Sequence, residues 1–196
     1  TSNLQNDLLC GQGDIDSTLP TINLMKLSQK YDSNPELKDL VQNSSNNDLR
    51  NLLTNNPEHQ FSADILEYLR LYGFRCNNEQ KLEEDDLHSN PDFIFDSIRN
   101  YLRSKKYDVN EMHQNEKLLK ENAEKVVKDS LNGTKLKIFN WVLKNARAAV
   151  KNRENLRFLR SKSFGISRRI FRSICRQLYL LEVVESKEDG FYLTHR

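Results

Sequence analysis

The sequence predicts an all-α fold, a multi-helix domain with long antiparallel helices at its C-terminal end. Six glycines and four prolines in 196 residues are too few for the many tight turns of a sandwich or barrel. Leu, Lys, Glu, Asn and Arg dominate, a composition that favours helix. Apolar residues recur three and four positions apart through most of the chain, the period of a helix with one buried side.

The elements follow in order. Leu4 to Leu9 reads as a short helix stopped by the turn Cys10-Gly11-Gln12-Gly13. Ser17 opens a helix through about Tyr31, with Leu19, Ile22, Met25 and Leu27 on its apolar side. Asn34-Pro35 starts the next helix, an N-cap with proline in the first turn, and Leu37, Leu40 and Val41 follow. A helix from Asn46 to Leu53 is broken at Asn55-Asn56-Pro57. The stripe Phe61, Ile65, Tyr68, Leu69 and Tyr72 ends at Gly73. Residues 73–88 are irregular and acidic, with Glu83-Glu84-Asp85-Asp86 in the middle. Asn90-Pro91 starts a helix through Leu102, and a polar helix from Val109 to Leu131 closes at Asn132-Gly133. A long helix then runs towards Phe164, where Gly165 is a candidate bend. Phe139 and Trp141, with the stripe Ile170, Ile174 and Leu178, are predicted to face the core. The end, with Val183-Val184 and Phe191-Tyr192-Leu193 around Gly190, has strand-like patches.

Apolar residues make up 37% and charged residues 30%, which excludes wholesale disorder and a membrane-embedded chain. Cys10, Cys76 and Cys175 are three, far apart and without a CxxC, so neither a zinc cluster nor a disulfide framework is expected, and a cytoplasmic setting is. The start, Thr1-Ser2-Asn3-Leu4, has no signal core and no initiator Met, which predicts a piece excised from a longer chain.

Charge divides the chain. Residues 1–132 carry 15 Lys+Arg against 23 Asp+Glu, net −8; residues 133–180 carry 13 against one, Glu154, net +12. The basic segment must find anions, either in the acidic part of its own fold or in a phosphate-bearing partner. One domain over 1–196 is predicted, an acidic helical part at 1–132 joined to long basic helices at 133–196.

Most catalytic sets are absent. Gly11-Gln12-Gly13 lacks the third glycine and the preceding strand of a nucleotide loop. His59, His88, His113 and His195 are scattered through polar segments, without metal-ligand spacing. Glu83-Glu84-Asp85-Asp86 reads as a solvated acidic loop rather than a cation site. What remains is a face along Ile138, Trp141, Asn145 and Ala149 that runs on to Arg153 and Leu156, with Arg157 and Arg160 alongside. Arg153 and Arg157 are i,i+4 neighbours, and such a pair either clamps an anion from two sides, with Glu154 orienting one of them, or joins a buried ion-pair network with helices of 1–132. Arg168, Arg172 and Arg176 form a second row, read as a solvated face or a contact for the acidic part.

The run NARAAVKNRENLRFLRSKSFG at 145–165 resembles a signature of the phosphoenolpyruvate-utilising, ATP-dependent dikinase enzymes, above all those of the phosphoenolpyruvate-synthase-like and rifampicin-phosphotransferase type. Three further segments are similar and in the right order: LLCGQGDIDS at 8–17, YGFRCNNE at 72–79 and DGFYLT at 189–194. The resemblance implies an enzyme in three parts. An ATP-grasp part, using ATP and Mg, phosphorylates a histidine on a swivelling domain, which carries the phosphoryl group to an acceptor-binding helical domain. The present chain resembles the helical domain alone, with no cofactor of its own, and by itself is expected to lack turnover.

Residue by residue, the resemblance makes Arg153 and Arg157 the catalytic basic pair near the transferred phosphoryl group, with position 157 a Lys in some relatives. It makes Arg75 and Glu79, from the Gly-x-Arg-x-x-x-Glu segment, and Glu154 substrate-binding residues, with no metal ligands. Phe74 and Gln12 depart from the family's usual His and Glu. An acceptor pocket is expected from the early helices, at Leu19, Ile22, Met25 and Leu40, for pyruvate, water or a hydroxylated small molecule. The expected partners are the ATP-grasp and phosphohistidine domains of the same chain and a small acceptor, with neither nucleic acid nor membrane. The alternatives are a helical nucleic-acid-binding module on 133–180, disfavoured by the acidic remainder and the lack of interleaved exposed aromatics, and a structural adaptor.

Overall fold

The computed structural model describes residues 2–10 and 16–193, and the side chains of these from Leu4 onwards. They form eight α-helices: α1 Ser2–Leu9, α2 Leu19–Asp32, α3 Pro35–Asn43, α4 Asn46–Asn55, α5 Gln60–Tyr72, α6 Asp92–Ser104, α7 Val109–Ser130 and α8 Gly133–Leu180. Short 3-10 turns at Asp16–Thr18 and Asp189–Tyr192 complete the described secondary structure. The strand-like patches of the C-terminal end are thus turns and a 3-10 segment, because the chain folds back onto α8 and finds no strand to pair with.

The helix starts are set locally. Asn34 accepts hydrogen bonds from the backbone N–H groups of Glu36 and Leu37, with Pro35 in the first turn. Ser45 and Asp48 form a reciprocal capping box at α4. Asp108 accepts from Asn110 and Glu111 at α7. At the end of α3, Arg99 of α6 donates to the carbonyls of Val41 at 2.8 Å and Ser44 at 2.7 Å, groups that a helix terminus leaves without partners.

Helices α2 to α6 enclose the main core. Tyr31, Phe61 and Phe95 form its centre, with ring centroids 6.0 and 5.9 Å apart, and Val41, Leu49 and Ile65 are buried around them. A smaller cluster joins α1, α7 and the start of α8 through Leu8, Ala123, Val127 and Phe139. Arg50 of α4 is paired in a fork with Asp92 of α6, one arm at 2.8 Å, and this hydrogen bonding holds the Asp92 carboxyl below the usual carboxylate range. The folded state therefore prefers the ionised form. Its contribution is present above the unfolded value of about 4 and disappears as pH falls through the lower folded value. Asp92→Asn should lower the urea midpoint at neutral pH, and the gap to the parent chain should close on acidification below that window.

The predicted set of long antiparallel C-terminal helices is replaced by one helix. α8 spans 48 residues without a break and runs on through Gly165. At 1.5 Å per residue it is about 72 Å long. The core stripe expected on it faces solvent: Trp141 is 69% exposed, Ile170 56% and Ile174 49%. Phe139 and Leu178 are half-buried. The buried side is a different one, made by Ser161, Gly165, Arg168 and Cys175. These are small or hydrogen-bonding residues because α8 meets backbone there rather than side chains. A Cβ on Gly165 would lie 2.5 Å from the Phe74 Cβ and 3.0 Å from its carbonyl oxygen. Gly165→Ala is therefore expected to destabilise by more than about 1 kcal/mol in urea unfolding, although alanine is the better helix former by about 1 kcal/mol. No helix of the described residues is long and apolar enough to cross a membrane.

Candidate functional site

The site is built where the loop between α5 and α6, residues 73–91, lies against the middle of α8. Gly73 ends α5 with its N–H on the Leu69 carbonyl at 2.7 Å. The loop then doubles back, with Leu87 donating to the Arg75 carbonyl at 2.9 Å and His88 to the Gly73 carbonyl at 3.2 Å. Asp86, buried in the turn, accepts from the backbone N–H and the hydroxyl of Ser89, each at 2.9 Å. Phe74 packs edge-on against Phe158 of α8, centroids 5.5 Å apart. A histidine at this position in relatives would be polar, whereas Phe74 is a buried anchor.

Arg168 of α8 locks the loop in place. Its guanidinium is fully buried and donates to the carbonyls of Phe74 at 3.2 Å, Glu79 at 3.0 Å and Lys81 at 2.9 Å. Arg172, one turn on, pairs with Asp85 at 2.7 Å and donates to the Glu83 carbonyl at 2.8 Å. The second arginine row thus holds the acidic loop through Arg168 and Arg172, while Arg176 is exposed. Of the acidic quartet, Asp85 is taken by Arg172, Asp86 by its own turn, and Glu84 accepts from Asn78 at 2.8 Å. No group of residues able to hold a metal ion occurs among the described residues.

Between loop and helix runs a groove of ≈ 630 Å³, walled by Arg75 and Lys81 on one side and Arg157, Arg160, Ser161 and Phe164 on the other. Four cations line it against one carboxylate, Glu79. Glu79 is committed on both oxygens, to Arg75 at 3.2 Å and to the hydroxyl of Ser161. Ser161 also lies 3.1 Å from the Arg157 carbonyl, and its single proton serves one acceptor at a time. Arg157 and Lys81 also have carboxylates nearby, Glu154 at 3.4 Å and Glu83 at 3.9 Å, both outside the groove lining, so that among the lining residues cations outnumber carboxylates and favour an anion.

Arg157 and Arg75 line one cleft. Arg153 does not line it. Glu154 lies between the two α8 arginines, 3.2 Å from Arg153 and 3.4 Å from Arg157. Both side chains are largely exposed, Arg153 at 72% and Arg157 at 59%. The alternative of a buried ion-pair network with 1–132 does not form at this pair. Ion pairs this exposed hold their partners weakly, so Arg157 is free to turn into the groove. The 3-10 turn at Asp16–Thr18 is attached next to this pair, with the Asp16 N–H donating to Asn155 at 3.1 Å. Gln12 and the rest of 11–15 lie outside the described residues, as does Thr194 of the last segment.

A second cavity of ≈ 480 Å³ adjoins the first through Arg75, which lines both. Its walls come from α2 (Pro20, Thr21, Leu24), Tyr68 of α5, and Phe93 and Tyr101 of α6. α2 lines this cavity, but through residues other than those expected from sequence for an acceptor pocket. Ile22 is buried and Leu40 packs on the main core, while Leu19 and Met25 do not line the cavity. Lys81 and Ser161 were not singled out from sequence, while Arg160 was read only as lying alongside the pair and Arg168 only as one member of a second row. The available signal was the small-residue row Ser161, Gly165 and Cys175 with Arg168 in it, spaced three, four and seven apart.

The fold and the groove define an all-helical domain with a cleft lined mainly by cations on its longest helix. A family model described as the rifampicin phosphotransferase fourth domain matches residues 2–154, and the chain belongs to that family. The match takes in Arg75, Glu79, Arg153 and Glu154 and stops short of Arg157. The resemblance to the helical domain of dikinase-type enzymes thereby stands. No curated protein and no solved structure matches the chain.

Proposed function

We propose that this chain is the acceptor-side helical domain of an ATP-dependent phosphotransferase, receiving a phosphoryl group from a swivelling phosphohistidine domain. The observation that carries this is the cleft lined by both Arg75 and Arg157, with four cations against one carboxylate among its walls and Arg75 shared with the second cavity. Arg75, at the boundary of the two, is placed to touch both a phosphoryl group in the groove and an acceptor hydroxyl in the cavity. Phosphoryl transfer needs cations already in place around the equatorial oxygens, and Arg75 and Arg157 supply them from opposite walls. Glu79 fixes Arg75 so that its guanidinium does not have to be ordered during transfer. Arg153, exposed beside the groove, meets the incoming carrier domain, and Glu154 sets the resting position of both α8 arginines.

The cavity walls favour a hydroxylated organic acceptor over water or pyruvate. Tyr68, Leu24, Phe93 and Tyr101 offer apolar area for a carbon skeleton, and Asn77, Asn90 and Ser97 offer hydrogen bonds at its edges. Rifampicin, the acceptor named for the family, belongs to this chemical class. ATP, Mg and the carrier histidine would come from the other domains of the enzyme.

Reconstitution tests the reading. ATP-grasp and phosphohistidine domains of a rifampicin phosphotransferase, mixed with ATP, should label the histidine without this chain. Adding the chain and rifampicin should then speed loss of the label and yield a phosphorylated product. Unchanged loss of label with rifampicin or another hydroxylated acceptor would sink the proposal.

A further inference from the structure

The solvent-facing side of α8 carries a regular seam. Val142, Leu156 and Ile170 alternate with Ile138, Leu159 and Ile166 at steps of four and three residues, and all six are exposed. The positions between them in the same register are Asn145, Ala149, Asn152 and Ser163, also exposed. This is a heptad repeat over about four turns of seven residues, on the side of α8 opposite Gly165 and Arg168. A period of 3.5 residues is what a helix needs to meet another helix along its length.

The flanks of the seam are uncharged in its first half, at Phe139, Trp141, Ala146 and Ala148, and of one sign in its second. From residue 153 to 176 the flanking positions hold Arg153, Arg160, Lys162, Arg169 and Arg176, with no acid among them. Two copies of α8 paired in parallel and in register by this seam would set cation against cation. A partner helix with Glu or Asp at its flanks would be attracted at each of them. Asn152, exposed in the seam, also speaks against a lipid surface, where its amide would be desolvated; between helices it can pair and fix the register.

We propose that the exposed seam of α8 docks an amphipathic helix of a partner protein, with heptad-spaced apolar residues and acidic flanks. The apolar seam residues line neither cavity, while the flanking Arg160 also borders the groove. The chain's single tryptophan, Trp141, stands exposed beside the seam and reports docking by its emission.

The probe is a synthetic four-heptad peptide with Leu and Ile in the seam positions and Glu at the flanks; its twin carries Lys instead. The full chain should show a saturable blue shift of Trp141 with the Glu peptide, weakened when salt rises from about 0.05 to about 0.5 M, and none with the Lys peptide. Leu156→Ser with Ile170→Ser should weaken binding at least tenfold with helix content unchanged by circular dichroism, while Leu118→Ser on α7 should have no effect. No shift with the Glu peptide, or equal shifts with both peptides, overturns the proposal. So does a shift with phosphatidylserine–phosphatidylcholine vesicles alone, which assigns the seam to lipid. A peptide-free dimer in sedimentation that dissociates with Ile170→Ser also overturns it, in favour of a second copy.

Discussion

Arg168→Ala is expected to unfold the loop at 73–81 and to cost the whole chain more than about 3 kcal/mol in urea unfolding. Three loop carbonyls, of Phe74, Glu79 and Lys81, lose their donor at once. Hydrogen bonds to a charged group contribute about 1.5–3 kcal/mol each, and a buried carbonyl left alone bears its desolvation unrelieved. The substitution also empties the volume of a fully buried side chain. Arg168→Lys should recover only part of the loss, because one ammonium on a flexible stem cannot reproduce the planar fork that reaches three acceptors. Hydrogen exchange distinguishes loop from core: protection should fall at 73–81 and persist around Tyr31, Phe61 and Phe95. Arg168→Met with unchanged stability and protection would show that the carbonyls find other donors. Since the groove depends on Arg75, Glu79 and Lys81 of this loop, Arg168 is a positioning residue for it.

Arg157→Ala, tested in the reconstituted phosphotransferase, is expected to slow transfer from the carrier histidine to the acceptor by about two to three powers of ten, the usual loss for one preplaced electrostatic donor. Labelling of the histidine by ATP should stay the same, because that step occurs on other domains. Arg157→Lys should retain part of the rate, as the charge remains and the fork is lost. Arg153→Ala should lose less than Arg157→Ala, since Arg153 is more exposed and does not line the groove. Equal losses in both steps would indicate a folding defect. Loss in neither would reduce Arg153, Glu154 and Arg157 to a surface ion-pair cluster.

Several features of the fold follow from local chemistry and were legible residue by residue. Asn34-Pro35 caps α3 because a short amide side chain reaches the free N–H groups of the first turn. The stripe from Phe61 to Tyr72 becomes α5, buried at Phe61, Ile65, Tyr68, Leu69 and Tyr72. The i,i+4 spacing of Arg153 and Arg157 on one helix put both beside Glu154.

On α8 the same reasoning chose the wrong side. Periodicity measures how apolar a helix face is, and Ile166, Ile170 and Ile174 form the most apolar one. What a face meets depends on the partner that the rest of the chain supplies. Here the partner is a loop, whose carbonyls need donors and whose backbone needs room, so Arg168, Ser161 and Gly165 turn inward and the isoleucines are left to solvent. The sequence by itself determined the helical class, most helix boundaries and the charge division. Only the tertiary structure decided that 133–180 is a single helix, which side of it is buried, and that Arg75 and Arg157, 82 positions apart in the chain, share one cleft, because loop and helix are joined there by long-range hydrogen bonds that no local pattern encodes.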